Sequence, residues 1–124
     1  MSNTSPKFNL FRRSEAEPYP TGTIVFSVGD PGDRMYAVRA GEIELVVADK
    51  VVEVVGEDGI FGEMAIIDGA ARTATARAKT DCELVPIDEA RFNYLVQETP
   101  FFALHVLRLI AQRLRRTNEI NLTP

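Results

Sequence analysis

The chain has 124 residues with a net charge of −4, which makes it one domain and argues against a surface built to gather nucleic-acid phosphates. With 45% hydrophobic and 26% charged residues it has the composition of a globular fold. No apolar run approaches the roughly 20 residues that a bilayer-crossing helix needs, and the N-terminus carries no hydrophobic signal segment. Neither nucleic acid nor membrane is therefore expected as a partner, and the expected compartment is cytoplasmic.

Residues 1–17 read as a polar arm, with a short apolar patch at 8–11 and a helical segment over 7–12. From residue 18 to 87 the signals are β. Residues 23–28 are β-branched and roughly alternating, and Gly29-Asp30-Pro31-Gly32-Asp33 breaks them with turn-forming residues. A short strand follows at 35–38, closed by Ala40-Gly41. Residues 42–47 alternate acid and aliphatic, giving one wet and one buried face. Asp49-Lys50 reads as a two-residue hairpin leading into 51–55. Residues 73–78 place Ala74, Ala76 and Ala78 at alternate positions, a strand whose inner side chains are small. The last strand is 81–87. It holds the single cysteine, Cys82, between two acids that disfavour the thiolate, so a core role is expected.

The pattern changes at Asp88, which suits the N-cap of a helix running to about residue 97. Thr99-Pro100 reads as a second N-cap with proline at the first helical position, and that helix runs to about 119. Leu104, Leu107, Ala111 and Leu114 keep one stripe, while Val106, Leu109 and Ile110 add another apolar side. That is wider than one sheet needs. The spare face suits a second copy of the chain, hence a homodimer through the last helix. The alternative is a helix clasped between the β layers and the N-terminal arm.

The chemistry concentrates in residues 61–74. Gly62 allows a backbone conformation or a close approach that a Cβ would block. Residues 63–66 can form one helical turn, and Asp68-Gly69 then reverses the chain so that Arg72 returns toward Glu63. An arginine fork binds two phosphate oxygens and keeps its charge, and a carboxylate accepts from a hydroxyl. Together they suit a small ligand with both groups. The competing reading is a Glu63–Arg72 ion pair that only staples a turn, and spacing alone leaves both open.

Phe61-Gly62-Glu63, followed after an eight-residue gap by Arg72-Thr73-Ala74, resembles the phosphate-binding cassette of cyclic-nucleotide-binding domains. These are the sensor domains of catabolite-activator-type regulators and of cyclic-AMP-dependent kinase regulatory subunits. The likeness extends to Gly29-Asp30-x-Gly32-Asp33, Met35-Tyr36-x-Val38, Gly41-Glu42 and residues 113–118, covering about 18–119. It implies a mainly β fold, a jelly-roll-like double-stranded β-roll (18–87, cassette 61–74) followed by two C-terminal helices (88–119), in one domain over 1–124.

It also implies roles. Glu63 would hold the ribose 2′-hydroxyl and Arg72 the cyclic phosphate. Gly62, Met64, Ala65, Thr73 and Ala74 would line the cassette, and Thr117 and Asn118 would reach the base from the last helix. Cyclic AMP (cAMP) is favoured. Thr73 leaves cyclic GMP (cGMP) as the second candidate, because a hydroxyl there can accept from the guanine 2-amino group. No cofactor beyond the ligand is called for. The implied function is signal transduction by a stand-alone sensor, acting through movement of its last helix on an effector protein that the sequence does not name. The runner-up is a structural or interaction module with the same roll that binds no nucleotide. An enzyme is not expected, since the single histidine, His105, lies in an apolar helical stretch and reads as a core or interface residue.

Overall fold

The computed structural model describes residues 15–122, with side-chain placements for 15–116. The helical segment expected over 7–12 lies outside the described residues. Among the described residues there are eight strands: β1 Glu17–Tyr19, β2 Ile24–Phe26, β3 Arg34–Ala40, β4 Ile43–Val47, β5 Lys50–Val55, β6 Ile60–Phe61, β7 Thr75–Ala78 and β8 Cys82–Asp88. A single helical turn, α1 (Met64–Ile67), follows β6, and α2 (Glu89–Glu98) and α3 (Pro100–Leu122) follow β8. The strands form two antiparallel four-stranded sheets, ordered β1-β8-β3-β6 and β2-β7-β4-β5. This is the expected β-roll with C-terminal helices.

The central strands of the first sheet, β3 and β8, are buried on both faces, and side-chain alternation explains how. Tyr36 and Val38 on β3, with Leu84 on β8, face into the roll, where Ile43, Phe61, Ala76 and Ala78 meet them. Met35 and Ala37, with Val85 and Ile87, face the other way and pack on Leu95, Phe102 and Val106 of the two helices. A strand covered on both sides must be apolar at consecutive positions, which is why 35–38 and 84–87 read as unbroken hydrophobic runs. The second sheet has a wet outer face, where Arg77 donates from Nε and Nη2 to Glu44 at 3.1 and 2.9 Å. Its inner face needs the small Ala76 and Ala78 to let the sheets approach. Cys82 is buried; burial raises its thiol pKa, as a core role requires. A Cβ on Gly41 would fall 2.8 Å from its sulfur.

Several boundaries differ from expectation. β1 and β6 were not anticipated; each is two or three residues long and exists only through pairing with a distant strand. β2 is shorter than 23–28, and β7 starts at Thr75 instead of 73. The β4–β5 hairpin turns at Ala48 and Asp49, with φ of 51° and 66°, one residue earlier than Asp49-Lys50. Two successive positive φ values are those of the twisted hairpin turn that matches the strands. β5 also carries one extra residue: Leu45 opposes Glu53 and Val46 opposes Val51, so Val52 bulges.

Asp88 caps α2 as expected, its side chain accepting from the Arg91 amide at 2.8 Å. Thr99 is the joint between the helices. Its amide donates to Leu95 O at 2.8 Å, and its carbonyl accepts from the Phe102 amide at 2.8 Å. Of the two apolar sides of α3, Val106 is buried and Leu109 and Ile110 lie against the core. Leu104, Leu107 and Leu114 are exposed by 45%, 60% and 59%, so the wider-than-needed apolar surface is real. His105 is partly buried, and its Nε2 lies 2.9 Å from Asp58 O, tying α3 to the turn before β6. Among the described residues, no helix is long and apolar enough to cross a membrane.

Candidate functional site

Residues 61–74 wrap one end of the roll. Gly62 has φ +76°, a conformation that L side chains rarely adopt, and it swings the chain from β6 into α1. Asp68 Oδ1 then accepts from the Ala70 amide at 3.0 Å, and Gly69 takes φ +69°, completing the expected reversal. The returning segment is clamped at Arg72. Its amide donates to Asp30 O at 2.8 Å and its carbonyl accepts from the Gly29 amide at 2.7 Å. The Gly29–Asp33 turn therefore anchors the backbone of Arg72 as well as linking β2 and β3.

The Arg72 side chain runs inward and is only 7% exposed. Its Nη1 donates to Gly62 O at 3.1 Å and its Nη2 to Arg34 O at 2.8 Å. The guanidinium lies 3.9 Å above the centre of the Phe26 ring, a cation–π contact. The slot is narrow: a Cβ on Gly62 would come within 2.7 Å of Nη1, and one on Gly32 within 2.5 Å of Nε. Both glycines are therefore needed for room around this one side chain. All of these partners are neutral. Among the described residues no carboxylate pairs with Arg72, and its Nε has no hydrogen-bond partner. Burial accordingly pulls its pKa below the usual guanidinium value. A buried cation without a counter-ion is costly, and an anion entering the slot would relieve that cost.

Glu63 is equally buried, at 7% exposure. It does not pair with Arg72. Its Oε1 accepts from Arg113 Nη1 at 3.1 Å. The stapled-turn reading therefore fails on geometry, since each of the two charges has its own partners. Arg113 also donates from Nε to both oxygens of Glu53, at 3.0 and 3.1 Å, and from Nη2 to Ile60 O at 2.5 Å.

Between these groups opens a cleft of about 230 Å³. The candidates Gly62, Glu63, Met64, Ala65, Arg72, Thr73 and Ala74 all line it, so the fold gathers every predicted cassette residue on one cavity. Thr117 and Asn118 belong to α3, but their side chains lie outside the described residues. Leu45, Val47, Val52 and Ala71 also line it, as do Phe26, Glu53 and Arg113, which were not anticipated as site residues. A signal for Arg113 exists in the helical phase. It follows Val106 and Ile110 at +7 and +3, placing a charge on the stripe that faces the core.

A family model described as the cyclic nucleotide-binding domain matches residues 16–99, spanning both sheets, the cassette and α2. The chain belongs to the cyclic nucleotide-binding domain family. Among curated members, it is 30% identical over 115 residues to the CRP-like cAMP-activated global transcriptional regulator of Mycobacterium tuberculosis, covering 89% of this chain and 51% of that protein. The chain thus spans about half the length of that relative. Among solved structures, it is similar to the catabolite activator protein of Thermus thermophilus, with a TM-score of 0.76 and 29% identity, over 97% of this chain and 60% of the other. It is also similar to a protein solved in work on a cyclic-GMP-dependent signalling pathway of bacterial phytopathogenesis, with a TM-score of 0.75 and 28% identity over 91% and 94%. Both solved structures thus share the fold of this chain over nine-tenths or more of its length.

Proposed function

We propose that this cyclic nucleotide-binding domain is a sensor that binds cAMP in the cleft, with cGMP the less favoured ligand, and passes binding on through α3. One observation carries the reading: Arg72 is a buried cation without an acidic partner among the described residues, in a cleft it shares with the buried acceptor Glu63. A cyclic phosphate on Arg72 and a ribose hydroxyl on Glu63 satisfy both. Gly62, Met64, Ala65, Thr73 and Ala74 shape the space between, and the resemblance assigns Thr117 and Asn118 of α3 to the base. The role is that of a sensor and not a catalyst. Nucleotide on Glu63 changes the surroundings of Arg113, and so the seating of α3, which pivots at Thr99-Pro100. This biases an equilibrium between two helix positions. Calorimetric titration with cAMP and with cGMP tests the reading. Saturable heat is expected with cAMP and a weaker response with cGMP, while no heat and no rise in melting temperature at millimolar concentrations of either would favour the nucleotide-free module.

The output surface is the exposed stripe Leu104, Leu107 and Leu114. Its 3-4-3 spacing, counted through Ala111, is that of a two-helix seam, and it supports a homodimer through α3, with an effector protein as the other possible occupant. Sedimentation over a concentration series is expected to show a reversible monomer–dimer equilibrium, and a single monomeric species throughout would remove the dimer.

A further inference from the structure

Among the described residues, Arg113 donates to three partners. Nε goes to both oxygens of Glu53 on β5, Nη2 to Ile60 O on β6, and Nη1 to Glu63 beside the cassette. Glu53 faces the cleft opposite Leu45 and is largely buried, with an exposure of 18%. Arg116, one turn further along α3, adds a second cation at 3.6 Å from Glu53 Oε2. On the far side of Arg113, only Oε1 of Glu63 is engaged. Among the described residues nothing donates to its Oε2.

We propose, resting on the nucleotide reading above, that Glu53 is a positioning residue of the ligand site. Through Arg113 it fixes the Glu63 carboxylate so that one oxygen stays available to the ribose hydroxyl. An arginine side chain is long and carries about 2 kcal/mol of rotamer entropy, so its reach to Glu63 is defined only if the guanidinium is anchored elsewhere. The carboxylate of Glu53 on Nε provides that anchor and blocks rotation about the last bond. Arg113 lies between two acids, and with Glu53 neutral its guanidinium loses the charged contact on Nε that fixes its orientation. The effect of Glu53 is therefore specific to the sugar hydroxyl and does not extend to nucleotide binding in general.

The test compares cAMP with 2′-deoxy-cAMP, using calorimetry on the wild-type chain and on Glu53→Gln. The wild type is expected to prefer the ribose form. In the variant, affinity for cAMP falls by about five- to tenfold, the scale of one misaligned hydrogen bond to a charged group. Affinity for the deoxy compound stays the same or rises, so the ratio collapses. Equal weakening of both ligands would mean that Glu53 only supports the fold and would overturn the proposal. A ratio that the substitution leaves unchanged would overturn it equally. Arg113→Lys is the second variant, in case Glu53→Gln does not fold. A single ammonium cannot span both carboxylates, so the same loss of ratio is expected, and its retention counts against the role. If the wild-type chain binds neither compound, the nucleotide reading falls and this role with it. If it binds both with a ratio that neither variant changes, the role of Glu53 alone falls.

Discussion

Arg72→Ala is expected to lower cAMP affinity by at least about 100-fold, the loss of a desolvated, two-pronged phosphate contact in a water-poor slot. The substitution also strips donors from the carbonyls of Gly62 and Arg34 and removes the face of Phe26 from its cation. Orphaned carbonyls cost about 1–3 kcal/mol each when they stay dry. Removing a buried charge without a counter-ion gives part of that back, and the opened slot admits water. The fold is therefore expected to survive with a modest fall in melting temperature, leaving binding as the large effect. Arg72→Lys should do little better, because a point-like ammonium cannot reproduce the planar two-pronged geometry of the guanidinium. Calorimetry with cAMP, beside a thermal melt without ligand, separates the two consequences. An affinity within about threefold of wild type for the alanine variant would place the phosphate elsewhere.

The largest expected effect on stability is at Phe102. It is fully buried in the first turn of α3, edge-on to Phe92 with ring centres 5.9 Å apart, in the cluster that joins both helices to Met35, Val85 and Ile87. Truncation to alanine should cost about 3–5 kcal/mol, combining lost burial with an unfilled cavity. Domains of this size have roughly 5–15 kcal/mol in total, so about a fifth or more of the stability is at stake. Urea unfolding is the measurement, and a shift under about 1 kcal/mol would mean that α3 is not seated as described. Because Phe102 lies just after the Thr99-Pro100 joint, the same variant should also loosen the helix that Arg113 ties to the cleft.

What could be read in the sequence was what local chemistry determines. Asp88 as a cap, the break at Pro100, the reversal at Asp68-Gly69 and the alternation of β4 all follow from residues within a few positions of one another. The cassette was legible because its residues lie in one short run, and the structure gathers all seven on one cleft. The misses were non-local. β1 and β6 exist only because β8 and β3 offer them partners. Glu53, Glu63 and Arg113 meet across 50 and 60 positions of sequence, and in a run of arginines at 113, 115 and 116 only the helical phase marks the one that turns inward. The competing Glu63–Arg72 pair was plausible from spacing. It failed because the turn sends Arg72 onto backbone carbonyls before it can reach the acid.

The bulge at Val52 bears on how this molecule behaves when crowded. β5 is the outermost strand of its sheet and exposes Val51, Val52 and Val54, a combination that invites neighbouring chains to add strands and grow into fibrils. An incoming strand would find the ladder interrupted after two residues on one side and three on the other. Neither stretch is long enough to nucleate a stacked ribbon, so the valines stay accessible for a side-on contact while ordered aggregation along that rim is held back.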